Sequence, residues 1–178
     1  ALCRANQIAL AMFSGDSSED LNLLQKSTVA QQDCRSLWRY LREGGLANAR
    51  ELFRFVWHGL LGGPHAALPP RPLPAVAVYH PASDEATVAT WQQPGPLQWQ
   101  PGAPVVMLLF YKAHLQSGNT QVFADLCQAL LAKGMNPLPL ALQSLKDAGC
   151  LAALQALCAS EDVALILNTT AFSQASLD

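Results

Sequence analysis

Three polar turns follow apolar runs in the second half of the chain, and their side chains are of types that hold a ligand or move a proton. Residues 104–111 end on Tyr111 and lead to Lys112 and His114, then Gly118, Asn119 and Thr120. Residues 137–142 are followed by Ser144, Lys146 and Asp147, and residues 163–167 by Asn168, Thr169 and Thr170. Imidazole exchanges a proton near neutral pH, an ammonium meets a carboxylate, and hydroxyls and amides fix orientation. Each residue also has a plain structural reading. Asn119 or Thr120 can cap a helix, Thr169 and Thr170 can cap the segment after them, and Tyr111 can be a core aromatic with its hydroxyl at the surface.

Other chemistries find little support. There is no Gly-x-x-x-x-Gly-Lys-[Ser/Thr] and no Gly-x-Gly-x-x-Gly, and neither Gly44-Gly45 nor Gly62-Gly63 follows a strand, so a nucleotide phosphate has no loop to sit in. Acyl transfer lacks a Gly-x-Ser-x-Gly elbow. His58, His65, His80 and His114 are too far apart in sequence to share a helix face, so no metal site is expected. Arg35, Arg39 and Arg42 do share one, with Arg50 and Arg54 beyond. That stripe suits a carboxylate-bearing ligand or a partner's acidic surface, or it is a solvated face balanced by Glu43 and Glu51.

The elements that must position these groups can be read from periodicity. Residues 8–13 form a short apolar run broken by the polar cluster at 14–18, which predicts a buried strand and then a loop. From Asp33, apolar residues at helical spacing predict two helices broken at Gly44-Gly45, with Asn48 placed to cap the second. Proline forbids a helix over 62–74. Residues 75–79 read as a short strand, and the polar, proline-rich passage from there to 104 is the least legible.

The last third spells strand (104–111), helix (around Val122 to Leu130, stopped at Gly134), strand (137–142), helix (147–158) and strand (163–167). Unbroken apolar strands joined by helices predict a parallel sheet, buried on both faces, with right-handed crossovers. In such a sheet ligands bind beyond the carboxyl ends of the strands, where the three polar turns would share one rim. The fold expected is α/β, with Rossmann or flavodoxin-like parallel segments and a helical portion. Residues 1–63 would end a first α/β domain, 64–103 would be a proline-rich crossing, and 104–178 would carry β-α-β-α-β of a second.

The 178 residues are 51% hydrophobic and 13% charged, enough apolar surface for a real core and too little charge for a disordered polyelectrolyte. A net charge of -2 gives no footprint for nucleic acid. Five cysteines without a Cys-x-x-Cys pair fit reduced thiols in the cytoplasm. No run approaches the ~20 residues of a membrane span, so no membrane partner is expected. The chain opens on Ala1, Leu2, Cys3 and Arg4, without an initiator Met or a signal-peptide pattern, and reads as a piece of something larger.

Several strings, taken in order, resemble one family: Ser14-Gly15-Asp16 with Ser27-Thr28-Val29; residues 37–48, which include the helix-break motif Glu43, Gly44, Gly45 and Asn48; residues 110–114 with 117–120; residues 134–139 with 144–147; and residues 167–173. They are similar to the CobN family of aerobic cobaltochelatase large subunits, with looser versions in the magnesium chelatase H subunit. The likeness spans most of the chain, with little to match over 64–104.

It implies an N-terminal portion of a much longer, tetrapyrrole-binding subunit that inserts cobalt into hydrogenobyrinic acid a,c-diamide in cobalamin biosynthesis. ATP hydrolysis would fall to two smaller partners, one an AAA+ ATPase. No cofactor would be bound by this portion, which would be inactive alone. A metal inserter must strip water from the ion, deprotonate two pyrrole nitrogens and hold a ring edged with carboxylates, and the rim offers Tyr111, Lys112 and His114 for those tasks. The competing expectation, from the α/β pattern alone, is a free-standing flavodoxin-like or periplasmic-binding-like module for a small ligand.

Overall fold

The computed structural model describes residues 2–16 and 18–170, arranged as two units, Ala1–Leu73 and Pro74–Asp178. Of the string at 167–173, residues 171–173 lie outside the described residues.

The first unit contains α1 (Leu2–Ala5), α2 (Leu21–Lys26), α3 (Gln31–Glu43) and α4 (Gly45–Phe55), which runs into a π turn at Val56–Leu60. Asp20 caps α2, its carboxylate accepting from the amides of Asn22 and Leu23 at 2.8 and 3.3 Å. One face of α3 buries Cys34, Leu37 and Tyr40, three residues apart, as helical periodicity requires. Gly44 ends α3 and begins α4 at φ +64°, ψ −163°, a conformation that a side chain strongly disfavours.

Residues 8–13 belong to no helix and no sheet. In place of a partner strand, Thr28 Oγ accepts from the Leu10 amide at 2.6 Å and donates to Ile8 O at 2.7 Å, and Ser27 Oγ accepts from the Met12 amide at 2.8 Å. Two hydroxyls thus satisfy backbone groups that a ladder would otherwise take.

The proline-rich passage contains the boundary between the two units, at Leu73. Its first part is strapped onto α3 and α4 by their side chains. Tyr40 donates its hydroxyl to Leu68 O, Glu51 accepts from the Leu68 amide at 2.8 Å, and Glu43 accepts from the Leu73 amide at 3.1 Å. Asn48 holds Arg71 by both its amide and its carbonyl. A segment that cannot make its own hydrogen bonds has borrowed them.

The second unit is a four-stranded sheet of β1 (Val76–Val78), β2 (Val105–Tyr111), β3 (Asn136–Leu142) and β4 (Val163–Asn168) in the order β1-β3-β2-β4. β3 and β4 both run parallel to β2, whereas β1 is antiparallel to β3. Between β1 and β2 lies α5 (Val88–Gln92); α6 (Lys112–Ser117) and α7 (Gln121–Ala132) follow β2; α8 (Ala148–Ser160) links β3 to β4.

Alternation sends the strands' side chains to two cores. Leu108, Phe110 and Ala141 pack with Phe123, Cys127 and Leu131 of α7. Met107, Leu109, Leu138 and Leu140 pack with Leu154 of α8. Each such leucine, phenylalanine or methionine side chain, taken out of water, is worth about 1.5–3 kcal/mol. Helices on both faces of a largely parallel sheet make the fold doubly wound, as the strand and helix order predicts.

The passage over 80–103 is ordered by two tryptophans. Trp91 is fully buried and donates to Tyr79 O at 2.9 Å, while Trp99 donates to Pro137 O at 2.7 Å. α5, which carries Trp91, begins with a Thr87–Thr90 capping box. Pro137 and Pro139 are tolerated inside β3 because the amides they lack would face away from β2; Tyr79 donates to Pro139 O on that side, at 2.9 Å.

β4 departs from expectation. β2 and β3 are buried almost throughout, but β4 is an outer strand whose Leu165 and Ile166 remain 49% and 48% exposed. An apolar run reads alike whether or not its neighbours are in place.

Candidate functional site

Parallel pairing puts the ends of β2, β3 and β4 on one edge of the sheet. Tyr111 lies opposite Leu142, and Leu109 opposite Asn168, so the turns beginning near Tyr111, Ser144 and Asn168 share that edge. From β2 the chain moves to one side, to β3, and then crosses back to the other side, to β4. The order reverses beside β2, and this is where doubly wound sheets open a crevice for ligand.

Tyr111 ends β2 and is half-buried, and Lys112 and His114, also half-buried, lie on α6. The His114 ring stands edge-on to Phe123 with centroids 5.2 Å apart, which fixes it against the α7 side of the sheet. Gly118 closes α6 at φ +73°, and Thr120 donates its amide back to Gly118 O at 3.1 Å, leaving Asn119 exposed at the tip.

Thr120 starts α7 without a side-chain cap; its carbonyl accepts from the amides of Phe123 and Ala124, and its hydroxyl bonds the Tyr79 phenol. Burial raises the Tyr79 phenol above its ordinary value, and the Thr120 bond partly offsets this.

In the other two turns several polar groups hold the turn itself. Ser144 Oγ accepts from the Lys146 amide at 3.1 Å, with Lys146 exposed. Asp147 caps α8 by accepting from the Cys150 amide at 2.8 Å, a bond that lowers its carboxyl below the usual range. Thr169 gives both its amide and its hydroxyl to Leu109 O, at 2.9 and 2.8 Å, tying the end of β4 to β2. Buried Thr170 gives its amide and hydroxyl to Asn168 Oδ1, at 3.0 and 2.6 Å. The rim is therefore a set of braced turns presenting Tyr111, Lys112, Asn119 and Lys146.

The helix-break motif lies in the other unit and serves a different purpose. Glu43 and Asn48 grip the strap, and Gly44 makes the corner between helices. Asn48 does not cap α4: its Nδ2 donates to Gly44 O and Arg71 O, both at 2.9 Å, and its Oδ1 accepts from the Arg71 amide. Gly45, also at positive φ, opens α4.

Much of the arginine stripe is engaged. Arg35 pairs with Glu19, Arg42 approaches Glu43 at 3.4 Å and lies over the Trp38 ring at 5.1 Å, and Arg54 pairs with Glu51 at 2.6 Å.

A shallow hollow beside Ser14, which residue spacing does not reveal, is lined by Phe13, Glu19, Asp20, Arg35 and Trp38. Next to it, Asp16 Oδ1 accepts from the Ser14 hydroxyl at 2.5 Å and from the Ser18 hydroxyl and amide at 2.7 and 2.9 Å. Those bonds, the Ser14 hydroxyl first, lower the Asp16 carboxyl to about 2. A Ser-Gly-Asp string followed by Ser18 was the available signal.

Among the described residues no three His, Cys, Asp or Glu side chains converge as metal ligands, and no helix is long and apolar enough to cross a membrane. All five cysteines are free thiols.

Fold and rim define an α/β protein of the doubly wound class. Residues 38–178 match the CobN/Magnesium Chelatase family, and the chain belongs to it. It is 43% identical over 162 residues to the aerobic cobaltochelatase subunit CobN of Pseudomonas aeruginosa, an alignment covering 91% of this chain and 13% of that protein. To the CobN subunit of Sinorhizobium sp it is 34% identical over 96% of this chain and 14% of the relative. The catalytic subunit of cobaltochelatase from Mycobacterium tuberculosis superposes with a TM-score of 0.67 at 28% identity, over 84% of this chain and 12% of that one. The chain thus spans about one-eighth of the length of these proteins. Family membership does not favour the free-standing small-ligand module.

Proposed function

We propose that this chain is part of the tetrapyrrole-binding large subunit of a cobaltochelatase, which inserts Co2+ into hydrogenobyrinic acid a,c-diamide in the cytoplasm. The observation that carries the reading is its 43% identity to a CobN subunit over 91% of the chain. ATP hydrolysis is assigned to an AAA+ ATPase and a second small subunit, and the 178 residues alone insert no metal. Cobalt enters as substrate.

Within that reading the rim receives an edge of the macrocycle. Lys112 and Lys146 are of the charge to meet its peripheral carboxylates, and Asn119 suits its amides. His114, held by Phe123, and Tyr111 are the groups able to pass a proton at the adjacent crevice. The braced turns fix the backbone that carries these side chains before ligand arrives, which lowers the ordering cost of binding.

The test is a fluorescence titration of the full-length large subunit with hydrogenobyrinic acid a,c-diamide. Lys112→Ala and Lys146→Ala are each expected to weaken binding by about tenfold, roughly 1.4 kcal/mol. Binding that neither substitution changes would move the ligand away from this rim. No affinity in the unmodified subunit would overturn the reading itself.

A further inference from the structure

The outer edge of β4 carries a row of backbone groups and an apolar surface on both faces, and beyond a bulge at Ala164 neither charge nor proline guards it. Thr169 donates its amide to Leu109 O at 2.9 Å. By alternation the amides and carbonyls of Leu165 and Leu167 also face β2, and those of Ile166 and Asn168 point outward. Among the described residues no strand pairs with that side.

Natural edges are kept from pairing by charge, proline or a bulge that twists them away. Residues 163–167, Val-Ala-Leu-Ile-Leu, contain no charge and no proline. The β2/β4 ladder has one bulge, its extra residue Ala164 between Val163 and Leu165, and beyond it the stretch from Leu165 to Asn168 is in regular register. Leu165 and Ile166 fall on opposite faces of the sheet and are each about half exposed, whereas the corresponding positions of β2 are buried. A parallel sheet needs cover on both faces, so one helix laid over β4 would not suffice. What satisfies outward amides and both faces together is another strand with its own flanking helices.

We propose that in the complete subunit the outer edge of β4 is paired with a parallel β-strand from another part of the same polypeptide, extending the sheet beyond four strands. Two observations favour this source. Relatives are about eight times longer than this chain, which aligns with only 13% of one of them. The order β3-β2-β4 also corresponds to the 2-1-3 start of a flavodoxin-like sheet, in which the next strand is added outside the third.

The experiment is residue-resolved hydrogen exchange on the full-length large subunit without corrinoid, so the outcome is independent of ligand binding at the rim. The amides of Ile166 and Asn168 are expected to exchange as slowly as those of Leu165 and Leu167. Fast exchange at 166 and 168 beside slow exchange at 165 and 167 would mark a free edge and overturn the proposal. Slow exchange that turns fast on dilution, as a dimer dissociates, would assign the edge to a second copy and overturn it equally. Ile166→Lys supplies a further check: protection at 168 should fall by at least tenfold while β2 stays protected. Unchanged protection in that variant would also count against a paired neighbour.

Discussion

Asn48 and Arg71 exchange two hydrogen bonds across 23 residues of sequence, Nδ2 to carbonyl and amide to Oδ1, each 2.9 Å long. A carboxamide presents donor and acceptor side by side, as a strand edge does, so a single side chain replaces one rung of a ladder.

Asn48→Ala removes both bonds at a buried position and leaves Arg71 backbone groups without them, which is expected to cost about 1–3 kcal/mol. The readout is the urea midpoint of the first unit, together with hydrogen exchange at the Arg71 amide, which should become fast. An unchanged Arg71 exchange rate would show that the strap holds its path without Asn48.

The corner at Gly44 makes a sharper demand on residue type. With φ at +64° and ψ at −163°, Gly44→Ala should destabilise by about 1–3 kcal/mol. Gly15→Ala makes the control, because a methyl there meets nothing within 4 Å and the backbone is not left-handed. Equal thermal midpoints for the two variants would contradict the corner geometry.

The turn around Asp16 should respond to acid. Its carboxyl is lowered from 3.8 to about 2 by the Ser14 and Ser18 bonds, so the unfolded chain takes up the proton first as pH falls. The ordering this contributes is therefore fully present above about pH 4 and is lost toward pH 2. Carboxyl NMR should place the Asp16 midpoint near 2, and Ser14→Ala should move it up toward 3.8. An ordinary midpoint in the unmodified protein would mean that the hydroxyls do not hold the carboxylate.

Cys127 offers a chemical probe of the core. It is fully buried on the α7 side of the sheet, and desolvation pushes its thiol up to about 12. At pH 8 iodoacetamide should leave Cys127 unmodified in the folded protein while labelling partly exposed Cys3. Equal labelling of the two by mass spectrometry would show that the core opens readily.

Legibility in the sequence followed the strength of the periodic signal. β2, β3, α7 and α8 stand out because unbroken apolar runs alternate with helical stripes, and that order alone brings the three polar turns to one edge. The internal bracing was hidden: nothing in the type or spacing of Thr169 says that it binds Leu109 O, or of Ser144 that it turns on the Lys146 amide. Residues 8–13 read as a strand because apolarity does not reveal whether another strand or the Ser27 and Thr28 hydroxyls will meet the backbone. Trp91 and Trp99 order 80–103 through contacts 12 and 38 residues away, to Tyr79 and Pro137, beyond the reach of a local window.

The strap at 68–73 is held by its peptide groups: Tyr40, Asn48, Glu51 and Glu43 reach its amides and carbonyls. These grips act on backbone, so the four gripping residues set the strap's route whatever letters it carries at Leu68. Constancy in this region should be sought in the two helices, and a poorly alignable stretch can trace the same route in distant homologues.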